Sequence, residues 1–261
     1  MNLAVLTVRL SPEIDLGPVS IAWHGLTIAV GIVLAGWFAG RSLRARGLDT
    51  EPLGTVLGLV AVCGLVGGRI FYVLEHGGPL LGARGFTFDG GLILSTIVLV
   101  AYVRRAGLPT RYLDVLALWF PLGLAVGRIG DVINGEHYGA RSTSFLAVRN
   151  ANPAALTPDP RFAYENGGLY EVLLALIVLG AIWGLRPLAR RPGDLVFLMI
   201  GLLSVGRFFE FFLRSDSPSL ALGLNNAQWT SIALLAAVLV ARAWLSRRPR
   251  SRLAEYGSPR A

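Results

Sequence analysis

Seven apolar stretches, near residues 20–40, 52–74, 89–103, 112–131, 169–186, 193–213 and 224–244, set what this chain can become. About 20 apolar residues cross a bilayer core, and each stretch approaches that length, the third being the shortest. An ordinary soluble domain carries about 25% charged residues, whereas this chain has 15%, with 54% hydrophobic residues and a mean hydropathy of +0.59. The expected fold class is all-α, a polytopic membrane helix bundle of about seven transmembrane helices.

Charge sets the expected orientation. All 24 basic residues are arginine, and most lie in short connections between the apolar stretches. Arg41, Arg44, Arg46, Arg104, Arg105, Arg111, Arg186, Arg190, Arg191, Arg242, Arg247, Arg248, Arg250, Arg252 and Arg260 fall on one side. Only Arg9, Arg84, Arg141, Arg149, Arg161 and Arg214 fall on the other, in longer loops. The positive-inside rule then puts the N-terminus outside and the C-terminus in the cytoplasm. The net charge of +8 follows the membrane in this way, so no nucleic-acid partner is expected. Residues 1–19 lack the basic-then-apolar pattern of a cleavable signal, and the lone Cys63 sits in an apolar span as a small packing residue. Residues 1–245 are expected as a single bundle with an outer loop at 140–168, either a lid or docking arm or a disordered, loosely packed loop. Residues 246–261 are expected as a basic, flexible cytoplasmic tail drawn to anionic lipid.

Three arginines remain: Arg69, Arg128 and Arg207. Each falls in the last third of an inside-to-outside span, so a shared depth under the outer headgroups is expected. His24, Asp89, Tyr170, Glu171, Gln228 and Trp229 belong to the same level. A charge in a membrane helix costs about 2.5–3.5 kcal/mol even on the lenient insertion scale. Snorkelling explains one such arginine; three beside acids and amides point to a site. The pairs Gly54/Gly58, Gly64/Gly68 and Gly123/Gly127 read as helix contacts, while Gly135/Gly139, past its span, suits backbone approaching a ligand.

The stretch Gly127-Arg128-Ile129-Gly130-Asp131-Val132-Ile133-Asn134-Gly135-Glu136-His137-Tyr138-Gly139 concentrates this chemistry. Guanidiniums match phosphate oxygens and stabilise charge on a leaving phosphate. His24, Asp89, Asp131, Glu136 and Glu210 are candidate general bases. His76 and His137 read as surface loop residues. The three histidines make no ligand pattern, so no metal and no cofactor is expected. Spacing alone thus reaches a membrane-embedded phospholipid site.

The same stretch resembles the signature of bacterial prolipoprotein diacylglyceryl transferases, written G-R-x-G-N-F-x-N-x-E-x-x-G. Residues 11–26, Gly67-Gly68-Arg69-Ile70, Phe88-Asp89-Gly90-Gly91-Leu92, Leu169-Tyr170-Glu171, Gly206-Arg207-Phe208-Phe209 and Gln228 are similar to further family motifs, in order. The resemblance implies a multi-pass enzyme of the bacterial plasma (inner) membrane. It would move the diacylglyceryl group of phosphatidylglycerol to the lipobox cysteine of an exported prolipoprotein. By motif, Arg128 and Arg207 would hold the phosphate. Asn134, Glu136 and Gly139 would shape the headgroup pocket, with Arg69 and Glu171 in support.

The chain departs from the family at chemical positions. His24 stands for a tyrosine, Asp89 for the histidine of F-H-G-G, and Asp131 and Val132 for asparagine and phenylalanine. The histidine-proline before L-Y-E is missing, and Glu210 comes one residue early after Arg207, turning it about 100°. Either the base has moved to His24, oriented by Asp89 or Asp131, or the scaffold binds another anionic phospholipid for different chemistry or none. An Arg128–Asp131 structural ion pair is a further alternative for Asp131. A membrane transporter is the alternative of another class; it predicts ionisable groups near the midplane.

Overall fold

The computed structural model describes residues 5–17, 20–81 and 85–247. Seven long helices run through these residues: α1 (Trp23–Arg44), α2 (Leu53–His76), α3 (Phe88–Arg105), α4 (Arg111–Asn134), α5 (Gly167–Leu185), α6 (Asp194–Glu210) and α7 (Asn226–Ser246). Six are long and apolar enough to cross a membrane, α6 together with the 3-10 turn that follows it. The exception is α3, the span expected to be shortest, whose 18 residues include Asp89, Arg104 and Arg105. Of the expected basic tail, residues 248–261 lie outside the described residues, as does Arg84.

The most buried span is α4. One face packs on α5 and α6 through Leu118, Val178, Ile182, Met199 and Leu203, and another meets α1 through Ala39, Leu43, Tyr112 and Val115. Glycines set the α1–α4 spacing. Gly123 lies against Gly31, Gly127 against Ile28, and Gly130 against the backbone of His24. The expected Gly123/Gly127 contact is therefore real, and Gly64 and Gly68 similarly face α3 and its approach. Gly54 and Gly58 do not act this way: a Cβ on either would meet nothing within 4 Å.

Helix ends are closed by side chains from elsewhere. The carboxylate of Asp114 in α4 accepts from Gly193 N at 2.8 Å and Leu195 N at 3.0 Å, capping α6, which has no side-chain cap of its own. Asn166 caps α5 by accepting from Leu169 N at 2.8 Å. Asn225 and Gln228 form a reciprocal capping box on α7, so Gln228 has a structural task; its Nε2 also donates to Phe208 O.

Over the site end of α4 lies a four-stranded sheet in the order β1-β5-β6-β4. Its strands are β1 (Leu6–Val8), β4 (Tyr138–Arg141), β5 (Val148–Asn150) and β6 (Tyr164–Asn166). The N-terminal strand β1 runs parallel to β5, while β6 is antiparallel to β5 and β4. Two hairpins complete the strands: β2 (Glu13–Asp15) with β3 (Ser20–Ala22), and β7 (Ser219–Ala221) with β8 (Leu224–Asn225). The segment 140–168 is thus an ordered part of this cap. Its Asn150 donates to the Val132 and Ile133 carbonyls at 2.8 and 3.1 Å, and Leu156 N donates to Asn134 O at 2.9 Å. A helix end leaves carbonyls unbonded, and this cap takes up three of them.

Candidate active site

The last two turns of α4 carry the centre. Gly135 ends the helix in the left-handed region at φ 74°, and Glu136 and His137 follow directly. Arg128, Asp131 and Asn134 recur every three residues, on one helix face. All three are buried.

Glu171, at the start of α5, is shared by two guanidiniums. Arg128 Nε pairs with its Oε2 and Arg207 Nη1 with its Oε1. Both guanidiniums also lie over the ring of Phe88, 5.0 and 4.6 Å from its centroid. Asp89 Oδ1 stands 3.6 Å from Arg207 Nη2. A buried guanidinium is tolerated when paired, and the ring adds a cation–π contact that leaves N–H donors free. Arg207 Nε is buried with no hydrogen-bond partner among the described residues.

Asp131 is wholly enclosed, with a histidine on each oxygen. His24 Nδ1 meets Oδ1. Oδ2 accepts from Arg128 Nη1 and lies 3.7 Å from His137 Nε2. The Arg128–Asp131 pair considered from sequence therefore exists, but it coexists with a His24–Asp131 dyad. The His24 side chain is 38% exposed. Asn134 Nδ2 donates to Glu136 Oε1 at 2.7 Å.

Glu210 is buried with both carboxylate oxygens lacking partners among the described residues, and its Oε1 is turned toward Gly167. Three residues after Arg207, it shares that residue's face of α6. The early position did not turn it away.

Two expectations need correction. Arg69 does not join Arg128 and Arg207. It donates to the carbonyls of Pro79, Leu80 and Gly85 in the connection after α2, whereas Arg128 and Arg207 share Glu171. The convergence is of two arginines, with three carbonyl acceptors holding the third elsewhere. Gly139 admits backbone, as expected past the span, but the backbone is the chain's own. A Cβ there would overlap the Leu213 carbonyl, and Gly139 bridges Arg214.

His137, expected on the surface, is the main residue that sequence reasoning missed, with Arg214 and Asp216. Its Nδ1 is 3.2 Å from Asp216 Oδ2 and 2.6 Å from Arg214 Nη2. Arg214 also donates to both Asp216 oxygens, at 2.9 and 2.7 Å, and lies 4.3 Å from the Phe211 ring centroid. Burial alone would raise the Asp216 carboxyl, but the bond to His137 and the Arg214 guanidinium outweigh it and hold it well below the usual carboxylate range. For Arg214 burial is likewise outweighed, by Asp216, and its pKa is raised. His76 stays at the surface, stacked on Tyr72.

His24, Asp131 and Glu136 offer donor atoms within 4.8 Å of one another. Both Asp131 oxygens are committed to His24 and Arg128, and Glu136 Oε1 to Asn134. A guanidinium already stands where a metal ion would need this carboxylate, so the donor set fits ion pairing better than metal binding.

The arrangement presents two caged guanidiniums, a His–Asp dyad with an enclosed carboxylate and a second histidine at one end of an apolar bundle. The family model described as prolipoprotein diacylglyceryl transferase matches residues 13–244. A phosphatidylglycerol–prolipoprotein diacylglyceryl transferase of Erythrobacter litoralis is 32% identical over 249 residues, covering 87% of this chain and 86% of its own. One of Chromohalobacter salexigens is 32% identical over 264 residues, with 91% and 95% covered. One of Agrobacterium fabrum is 30% identical over 255 residues, with 88% and 89% covered.

Proposed function

The chain belongs to the prolipoprotein diacylglyceryl transferase family, a family of membrane transferases, and from that premise we propose that it transfers diacylglycerol from phosphatidylglycerol to a lipobox cysteine. The observation that carries this reading is Glu171 shared between Arg128 and Arg207, which supports a phosphate site set at the depth of a lipid headgroup. The relatives' names state the donor and acceptor classes. The arginine distribution supports an outside N-terminus, a cytoplasmic C-terminus and a bacterial plasma membrane location. It also supports one bundle over 1–245 with a basic cytoplasmic tail over 246–261.

In this reading Arg128 and Arg207 grip the donor phosphate, Glu171 and Phe88 hold the two guanidiniums in place, and Asp89 braces Arg207. The thiol attacks the glyceryl carbon next to the phosphate. The S–C bond forms, the C–O bond breaks, and its electron pair leaves on glycerol phosphate. A thiol with pKa near 8.5 needs a base to become a strong nucleophile. His24 supplies it: Asp131 accepts from Nδ1, which leaves Nε2 with the lone pair that takes the thiol proton. The family's asparagine has become Asp131 and its tyrosine His24, so the two departures make one dyad. Asn134, Glu136 and Glu210 line the headgroup side, and Gly139 keeps the 213–216 segment close.

The test is expression in cells depleted of their own family enzyme, with a reporter lipoprotein. Gain of the diacylglyceryl group is expected. A stably inserted protein that leaves the reporter unmodified overturns the reading, and release of headgroup without modification marks a different acceptor.

A further inference from the structure

The family pattern leaves the position after its glutamate open, and this chain fills it with His137. The residue is one of two non-glycine positions among the described residues with a left-handed backbone, at φ 61°. That conformation persists only where surroundings over-determine it, and they do here. The His137 carbonyl accepts from Gly167 N at 2.7 Å, and the next carbonyl, of Tyr138, accepts from Ser215 N at 3.1 Å. The backbone that carries the ring is therefore fixed from α5 and from the segment after α6.

Its two nitrogens face different groups. Nδ1 lies against Asp216 and Arg214. Nε2 faces Asp131 Oδ2, the oxygen that also takes Arg128 Nη1. A guanidinium only donates, so with Nδ1 accepting from Arg214 Nη2 at 2.6 Å the neutral ring carries its hydrogen on Nε2, which stands 3.7 Å from Asp131 Oδ2. The two imidazoles that approach Asp131 are thus unequal: His24 is on the far oxygen, and His137 is on the guanidinium's oxygen.

We propose that His137, rather than Arg69, is the third donor to the donor lipid's phosphate, and that its Nε2–H goes to the leaving oxygen. This rests on the transferase reading above. As the C–O bond breaks, its electron pair gives the phosphate a second negative charge, beside Arg128 and within reach of that N–H. His24 gains the thiol proton and His137 gives one up, so the departing glycerol phosphate carries one proton. Both rings are partly exposed, 38% for His24 and 25% for His137, and solvent restores them between turnovers. A phosphate monoester takes its second proton near pH 6, within the range where imidazoles exchange theirs. The charged groups around His137 are Arg128, Asp131 and neighbouring Glu136, Glu171 of α5, Glu210 of α6, and Arg214 and Asp216.

The experiment is kcat and KM against pH for full-length protein in phosphatidylglycerol nanodiscs with a lipobox peptide, comparing wild type, His137→Gln and His137→Leu. Wild type is expected to lose kcat at high pH, where the acid is spent. Both variants should lose that alkaline limb and drop kcat about 100-fold, the lower end for a general acid. His137→Gln, which keeps an N–H donor, should hold KM for the lipid nearer wild type than His137→Leu. Variants that fold and keep the wild-type profile overturn the inference while leaving the transferase reading standing. If neither variant folds, a wild-type kcat that stays level at high pH overturns it. A wild type that transfers nothing fails at the first step, and takes both readings with it.

Discussion

Gly31 of α1 and Gly123 of α4 meet backbone to backbone: a Cβ on Gly123 would stand 3.0 Å from the Gly31 carbonyl. The two helices run antiparallel from there, with Thr27 Oγ1 donating to Gly127 O at 2.8 Å and Gly130 against His24. The dyad is the last rung of this ladder. Gly123→Ala should therefore cost about 1–3 kcal/mol of stability, the usual range for overpacking, and lower transfer by moving His24 from Asp131. Gly58→Ala, where nothing lies within 4 Å, should change stability by under about 0.5 kcal/mol. Thermal unfolding in detergent alongside the peptide assay separates the two.

Asp131→Asn restores the family's residue but removes the carboxylate that orients His24 and balances Arg128. Transfer should fall by about 10²–10⁴ in kcat, the contribution of a positioned base, with a much smaller change in KM for lipid. Steady-state thioether formation on a lipobox peptide measures both. Wild-type kcat in this variant would remove His24 from the mechanism.

Arg207 and Arg69 should part company on substitution. Arg207→Gln leaves Glu171 with a single guanidinium, and breaking a buried pair costs about 3–5 kcal/mol; headgroup release from labelled phosphatidylglycerol should be lost. Arg69→Gln removes hydrogen bonds to the 79–85 connection, so it should lower the melting temperature while release stays within about tenfold. Equal loss of release in both would return Arg69 to the phosphate.

Asp216 ties stability to acid. Its carboxyl is depressed in the folded state, so its contribution is complete above the unfolded value of about 3.9 and fades as pH falls through the lower folded one. Asp216→Asn should melt below wild type at pH 7, with the gap constant down to about pH 4 and closing below that. Melting curves of the two proteins across that range check the sign.

The helices were legible because a membrane span is written as an uninterrupted apolar run, and a common level for Arg128, Arg207 and Glu171 because charges in apolar spans are retained where they gather; that both guanidiniums pair with Glu171 was not. Other features left weaker traces. The cap strands are three or four residues long, too short for a two-residue alternation to stand out. Arg69 is held by backbone carbonyls, which no side-chain pattern announces. His137 meets Asp216 across 79 positions, through the left-handed turn after Gly135. Glu210 looked misplaced because a fourth-residue spacing was the template, yet the third residue serves the same helix face.

The cap also fixes where this chain tolerates a change of length. Tyr138 pairs with Asn166, and Gly167 N donates to His137 O, so the two ends of the loop are locked in step immediately before Glu171 enters its helix. Residues gained near Arg161, past the Leu156 bond to Asn134, would lengthen a surface excursion. One residue gained or lost between Gly135 and Gly139, or between Tyr164 and Gly167, would slip the pairing and reverse the faces of the strand, leaving the arginines in place with the wrong side chains looking at them.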